Sequence, residues 1–205
     1  MTDTHSGTLI HATAVVDPAA RIAGSVLVGP YCVIGPDVEI DSDCWIGSHV
    51  VIAGTTRIGP DNRIFPFASL GQEPQDRKYA GEATRLEIGR GNTIREYVTI
   101  NRGTAQDAGV TRIGDDNWIM AYVHIAHDCR LGNNIVLAPY AAIGGHVHIE
   151  DRAFISGGVM IHQFTKVGCF AMIGGNSKIT QDVLPYMITD GVPGQVKGLN
   201  KVGLR

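Results

Sequence analysis

Two histidines, an aspartate and a cysteine lie close together in AYVHIAHDCRLG, the stretch from Ala121 to Gly132. Three chemistries suit such a set. Imidazoles holding a zinc ion, with water in the fourth position, make a metal-hydroxide catalyst. A histidine beside a carboxylate makes a general base near neutral pH, because the carboxylate accepts one ring N–H, fixes the tautomer and supports the imidazolium that forms. The third option is a polar patch lining an interface between copies of a regular scaffold. Adjacency offers His127 with Asp128 as the base and its partner. His124 and His127 are three residues apart, a spacing that sends side chains of an extended chain in different directions and argues against the metal.

Choosing among these depends on the elements that carry the residues. From Ile10 to Leu70 an Ile, Val or Leu recurs at every sixth position; the series resumes at Ile88, Ile94 and Ile100. After a shift of phase it runs again from Ile113 to Ile179. Neither a helix of period 3.6 nor a strand alternation of period two yields a period of six. A parallel β-helix does. Each hexad is one short strand plus a corner, three hexads make a coil of about 18 residues, and the aliphatic residues stack inward about 4.8 Å apart. Glycine often follows the aliphatic residue, as a corner needing φ > 0 would require.

Two segments leave this ruler. Residues 72–86 are polar and carry Asp76, Arg77 and Lys78; because Leu70 and Ile88 are 18 apart, they read as one coil with a loop thrown out from it. Residues 105–111 shift the phase and predict a second, shorter loop. Excursions from a rigid scaffold are where function concentrates. The chain thus divides into a β-helix over residues 1–184 and an extension over 185–205 that is locally basic through Lys197, Lys201 and Arg205.

A coil length of 18 superposes distant residues. Above His127 come Gly145 and Gln163; above Asp128, His146 and Phe164; above Ala126, Gly144 and His162. With His124 just before the turn, four histidines are expected on one corner, and Gly144 and Gly145 leave room for a ligand beside them. The Gly145 N–H can approach a reacting carbonyl closely and stabilise its oxyanion. No Gly-x-Ser-x-Gly elbow or evident nucleophile accompanies this set, so the acceptor itself would attack the acyl group.

Composition narrows the field. With 18% charged residues and a net charge of −3, the chain makes no global case for nucleic acid or a membrane surface. Cys32, Cys44, Cys129 and Cys169 form no CxxC pair and read as free thiols in a reducing compartment. There is no basic, apolar leader and no apolar run of about 18 residues. A cytoplasmic protein without an integral membrane segment is the expectation.

HIAHDC (His124 to Cys129), GGHVHIED (Gly144 to Asp151), HQF (His162 to Phe164), QDRKYAGEATRLEIG (Gln75 to Gly89) and TQDVLPYMITDG (Thr180 to Gly191) are similar to the UDP-N-acetylglucosamine O-acyltransferases of lipid A biosynthesis. That family is a branch of the hexapeptide-repeat acyltransferases, and the likeness covers essentially the whole chain. It implies an all-β, left-handed parallel β-helix assembled as a homotrimer, with active sites between subunits. It implies transfer of a 3-hydroxyacyl group from acyl carrier protein to the 3-hydroxyl of UDP-GlcNAc, with no cofactor and no metal. On the same resemblance His127 is the general base, Asp128 its partner and the Gly145 N–H the oxyanion donor. His124, His146, His162 and Gln163 bind substrate, Asp76 and Lys78 reach in from the loop, and Asn200 contacts the nucleotide. Gly175 occupies the position that limits acyl length, and its missing side chain implies room for a medium to long chain. Family members continue into a helical C-terminal domain, of which 185–205 would be the start, and Val202 stands where they often carry an acidic residue. The residues themselves leave open a related transferase with a 3-amino acceptor, a zinc enzyme like the γ-class carbonic anhydrases, and a nucleotide-binding scaffold without turnover.

Overall fold

Residues 9–204 are described by the structure, a computed structural model. Short strands succeed one another on three faces in rotation: Leu9–Ile10 on the first, Val15–Val16 on the second, Arg21–Ile22 on the third. Each pairs in parallel with its equivalent one coil on, Leu9 with Leu27, Val15 with Val33 and Arg21 with Glu39. The result is the expected left-handed parallel β-helix. Two positions per hexad point inward, the aliphatic residue of the ruler and the residue two before it, as in Val26 with Val28, Cys32 with Ile34 and Val98 with Ile100. Together these side chains form a continuous core along the axis.

Polar residues at the second inward position satisfy backbone carbonyls. The thiols of Cys32, Cys44 and Cys129 donate to Gly47, Gly59 and Gly144 at 2.9, 3.1 and 3.0 Å. All four cysteines are free, as expected, though Cys169 is only partly buried. Burial pushes the Cys44 thiol up to about 11 and Cys129 up to about 12, leaving inert, protonated packing groups. Asn62, Asn92 and Asn117 form an internal ladder in which the Asn92 and Asn117 N–H groups each donate at 2.9 Å to the side-chain oxygen of the Asn one coil earlier. Their amides donate in turn to carbonyls of the next coil, Gly89, Gly114 and Gly132.

The corners correct one expectation. In the regular corners the glycine after the aliphatic residue does not supply positive φ but admits the neighbouring coil; Gly71, at the start of the first loop, is an exception with φ 74°. A Cβ on Gly29 would lie 2.9 Å from the Gly47 carbonyl carbon and 3.0 Å from the Ser48 nitrogen. Positive φ falls two residues later, on non-glycine residues such as Tyr31, Asp43, His49 and Asp128. A left-handed conformation costs such residues about 1–2 kcal/mol. Here it directs the N–H at the preceding coil, as from His49 to Pro30 O at 2.9 Å and from His146 to His127 O at 3.0 Å. At the corner between the first and second faces these residues form an exposed ladder of stacked rings, Tyr31, His49, Phe67, Tyr97, Tyr122 and Tyr140. Their successive centroids are 4.9–5.0 Å apart.

The first excursion leaves between two faces of a single coil. Leu70 and Ile88 are not stacked on successive coils: Leu70 pairs with Ile52 on the second face, whereas Ile88 pairs with Ile58 on the third. They are neighbours around one coil, and residues 73–84 are inserted between the strands Ser69–Gln72 and Arg85–Ile88. The second insertion, residues 102–109, separates Thr99–Asn101 from Val110–Ile113. Both loops therefore leave from the corner between the second and third faces, one coil apart. Beyond the last regular coil, Met187–Asp190 joins the first face in parallel and Gln195–Leu199 folds back antiparallel on it. Arg205 lies outside the described residues.

Candidate active site

The corner that throws out both loops also carries the histidine motif. The turn of residues 126–129 links His124–Ile125 on the second face to Arg130–Leu131 on the third. Residues 144–147 and 162–165 make the same turn in the next two coils. The loops and these turns enclose a cleft of about 560 Å³, into which Asp76, Lys78, Asp107, His127, His146 and Gln163 project. A cleft of about 600 Å³ near the N-terminal end is walled by apolar groups such as Leu9, Leu27 and Trp45 and assembles no comparable cluster.

Asp128 is 2% exposed, in the left-handed conformation, and fixed from every side. Its N–H donates to the Thr111 hydroxyl at 2.8 Å. Its carboxylate accepts the Thr104 N–H at 2.9 and 3.1 Å and the Thr104 hydroxyl at 2.6 Å, and His127 Nδ1 lies 2.9 Å from Oδ2. Burial alone would raise this carboxyl's pKa, but the bonds from His127 and Thr104 outweigh it and hold the group below the usual carboxylate range. An ionised Asp128 accepts Nδ1–H and so leaves Nε2 of a neutral His127 as the basic atom. That edge lies against Gly145, where a Cβ would come within 2.8 Å of Nε2 and 2.7 Å of Cε1. Among the described residues no acceptor takes the Gly145 N–H.

His146 is held just as specifically. Its ring stacks on Phe164 with centroids 4.4 Å apart and meets His127 edge-on at 5.1 Å. Its Nδ1 is 3.0 Å from Asp107 Oδ2, and Asp107 also pairs with Arg130 at 3.3 Å. The bond to His146 chiefly lowers the Asp107 pKa.

The remaining expected residues divide by location. Asp76 and Lys78 stand together in the first loop, where Asp76 Oδ1 accepts the Lys78 N–H at 3.0 Å. Arg102 braces that loop by donating to Gly71 O at 2.9 Å and to the Tyr79 hydroxyl at 2.8 Å. His162 is exposed on the rim, its Nδ1 3.0 Å from Gln163 O. His124 lies on the second face, 2.7 Å from the Thr99 hydroxyl, and burial and then the neighbouring His127 lower its pKa. The four histidines thus share a region, but only His127 and His146 line the cleft. Asn200 is buried at the corner between the third and first faces, donating to Phe170 O at 2.8 Å. Gly175 lies on the corner between the first and second faces, where a Cβ would make ordinary contact with Gly157 O at 3.5 Å.

Sequence reasoning missed Thr104, Asp107 and the stacking role of Phe164. The phase shift at 105–111 marks the right segment without identifying the residues. Ligand-capable atoms of His127, Asp128 and His146 lie within 4.8 Å of one another, a set that can hold a metal ion. The Asp128 oxygens already accept from Thr104 and His127, so an ion there would compete with those bonds.

Residues 111–145 match the family model described as bacterial transferase hexapeptide (six repeats). The acyl-(acyl-carrier-protein)–UDP-N-acetylglucosamine O-acyltransferase of Herminiimonas arsenicoxydans is 56% identical over 96% of this chain and 75% of its own length. The corresponding protein of Verminephrobacter eiseniae is 58% identical over the same shares. The chain belongs to this UDP-N-acetylglucosamine O-acyltransferase family. Among solved members, the enzyme of Moraxella catarrhalis matches with a TM-score of 0.94 at 48% identity, covering 96% of this chain and 76% of that one. The Francisella novicida acyltransferase matches equally well in shape, with a TM-score of 0.94 at 44% identity over 96% and 72%.

Proposed function

We propose that the protein transfers a 3-hydroxyacyl group from acyl carrier protein to the 3-hydroxyl of UDP-GlcNAc, the opening step of lipid A biosynthesis. The family relationship supports the reaction, and one observation carries the mechanism: His127 bonded to Asp128 through Nδ1, with Nε2 beside the Gly145 backbone. In this reading His127 Nε2 takes the proton of the sugar hydroxyl as its oxygen attacks the thioester carbonyl. The Gly145 N–H stabilises the oxyanion of the tetrahedral intermediate. Collapse breaks the carbon–sulfur bond, and the imidazolium returns its proton to the departing thiolate of the carrier protein. Asp128 keeps the tautomer and steadies the imidazolium throughout. Asp76, Lys78, His146 and Gln163 line the cleft and hold substrate there.

His127→Ala is expected to lower kcat by at least about a hundredfold while the circular dichroism spectrum and melting temperature stay near those of the parent. A folded variant that retains most of its turnover would sink the base assignment. Activity that chelators abolish, and stoichiometric zinc restores, would favour the metal reading instead.

The assembly we infer is a homotrimer. Asn200 and Gly175 lie on corners other than that of His127, so they serve the site only if a second chain's corner is brought against the first. The exposed rings from Tyr31 to Tyr140, together with Trp118 and Phe154 on the first face, leave apolar surface that association would cover. His124 and His162 face the same inter-chain space in this arrangement. Sedimentation at assay concentration should give the mass of three chains; an active monomer would rule the arrangement out. Free thiols, three of them buried, fit a reducing compartment, and we place the enzyme in the cytoplasm.

A further inference from the structure

We propose that the loop of residues 102–109 is the positioning element of the active site, with Thr104 fixing Asp128 and Asp107 fixing His146. The proposal rests on the general-base reading of His127 and extends it to two residues that act through others, Thr104 through Asp128 and Asp107, on the cleft wall, through His146. Thr104 is fully buried, and among the described residues its N–H and hydroxyl supply every hydrogen bond to the Asp128 carboxylate other than that of His127. A carboxylate beside an imidazole can swing about its χ2 torsion, which is broad, and present either oxygen or neither. Two donors from one residue remove that freedom. They spread over both oxygens and leave Oδ2 on the side where His127 Nδ1 meets it at 2.9 Å.

A regular hexad cannot perform this task. Where turns succeed one another without insertion, the residue one coil before Asp128 would itself occupy the corner and donate to the backbone, as His146 does to His127 O. The inserted loop withdraws that corner and lets Thr104 enter beneath Asp128. The loop then continues outward, and Asp107 reaches past one coil to the next, meeting the Nδ1 edge of His146 while Phe164 stacks on its ring face. Arg130 anchors Asp107 from the third face, so its carboxylate is directed rather than freely solvated. One loop thereby sets the orientation of both cleft imidazoles, each through a carboxylate.

The two arms predict different kinetic signatures, which a merely structural loop would not produce. Thr104→Val keeps shape and β-branching but removes the hydroxyl. It should lower kcat about tenfold or more, with KM for UDP-GlcNAc within about twofold. Thr104→Ser restores the donor and should recover kcat to within about threefold of the parent. Placed on Asp128→Asn, Thr104→Val should add little further loss, because the group it steers is already altered. Asp107→Ala should instead raise KM for UDP-GlcNAc about tenfold with a smaller change in kcat. A folded Thr104→Val enzyme with parental kcat overturns the Thr104 arm; so does equal loss in the serine and valine variants, or full additivity with Asp128→Asn. If the valine variant does not fold, the serine variant and Asp107→Ala carry the test, and unchanged KM in the latter overturns the second arm. Failure of the base reading is seen separately, as residual turnover in His127→Ala.

Discussion

Asp128 combines burial with charge, and its hydrogen bonds make that combination stable. Asp128→Asn keeps the volume but places an amide NH₂ opposite either the Thr104 donors or His127 Nδ1. At neutral pH the variant should be less stable by about 1–3 kcal/mol, read from urea unfolding. The sign of its pH dependence follows from the lowered pKa. A carboxyl depressed in the folded state contributes stability that is fully present above its unfolded value of about 3.9, and that is lost as pH falls through the lower folded value. The stability gap between parent and variant should therefore be widest above about pH 4 and narrow on further acidification. A gap that widens on acidification would contradict the assigned network. The His127–Asp128 pairing was legible from adjacency and from the glycine stacked above it. Thr104 was not, because it meets Asp128 across the irregular coil, 24 residues away, where a fixed step of 18 finds nothing.

At the scale of the element, a hexad exposes its periodic residue plainly because every coil demands the same inward aliphatic. What the period conceals is an insertion that is itself a multiple of six. Ile58 pairs with Ile88, 30 residues on, against 18 for Ile40 with Ile58, so twelve extra residues leave the ruler in register and the loop looks like a coil. Ile88 pairs with Ile113, 25 residues on, and seven extra residues break the phase visibly. Glycine's role was equally ambiguous in sequence, since close backbone approach and positive φ select the same residue. The polar inward positions show how little tolerance the interior has. Asn92→Ala would leave the Asn117 N–H and the Gly114 carbonyl without their partners, while the bond from the residue-92 backbone N–H to the Asn62 side-chain oxygen would remain. A loss of about 2–4 kcal/mol is expected, measurable as a lowered urea midpoint. An unchanged midpoint would mean that water enters the axis and replaces the ladder.

The whole molecule is a stack in which each coil touches chiefly its neighbours, so changes of loop length stay local. Excising residues 103–109 returns the irregular coil to an 18-residue step, and the chain should still fold, with an unaltered far-ultraviolet spectrum. Its kcat/KM should nevertheless fall by about a hundredfold or more, since Thr104 and Asp107 go with the loop. Full activity in the excised protein would show that the scaffold alone orients the site. The ring ladder at the corner between the first and second faces adds something of a different kind. Tyr97, Tyr122 and Tyr140 lie nearly parallel, with interplanar angles of 5° and 3°, and at 4.9 Å their transition dipoles are close enough to couple. The protein thus carries a built-in optical gauge of coil spacing, separate from the peptide signal. If the coils part before the strands melt, the coupled aromatic band will fade while the peptide band persists; if both vanish together, the stack unfolds as one unit.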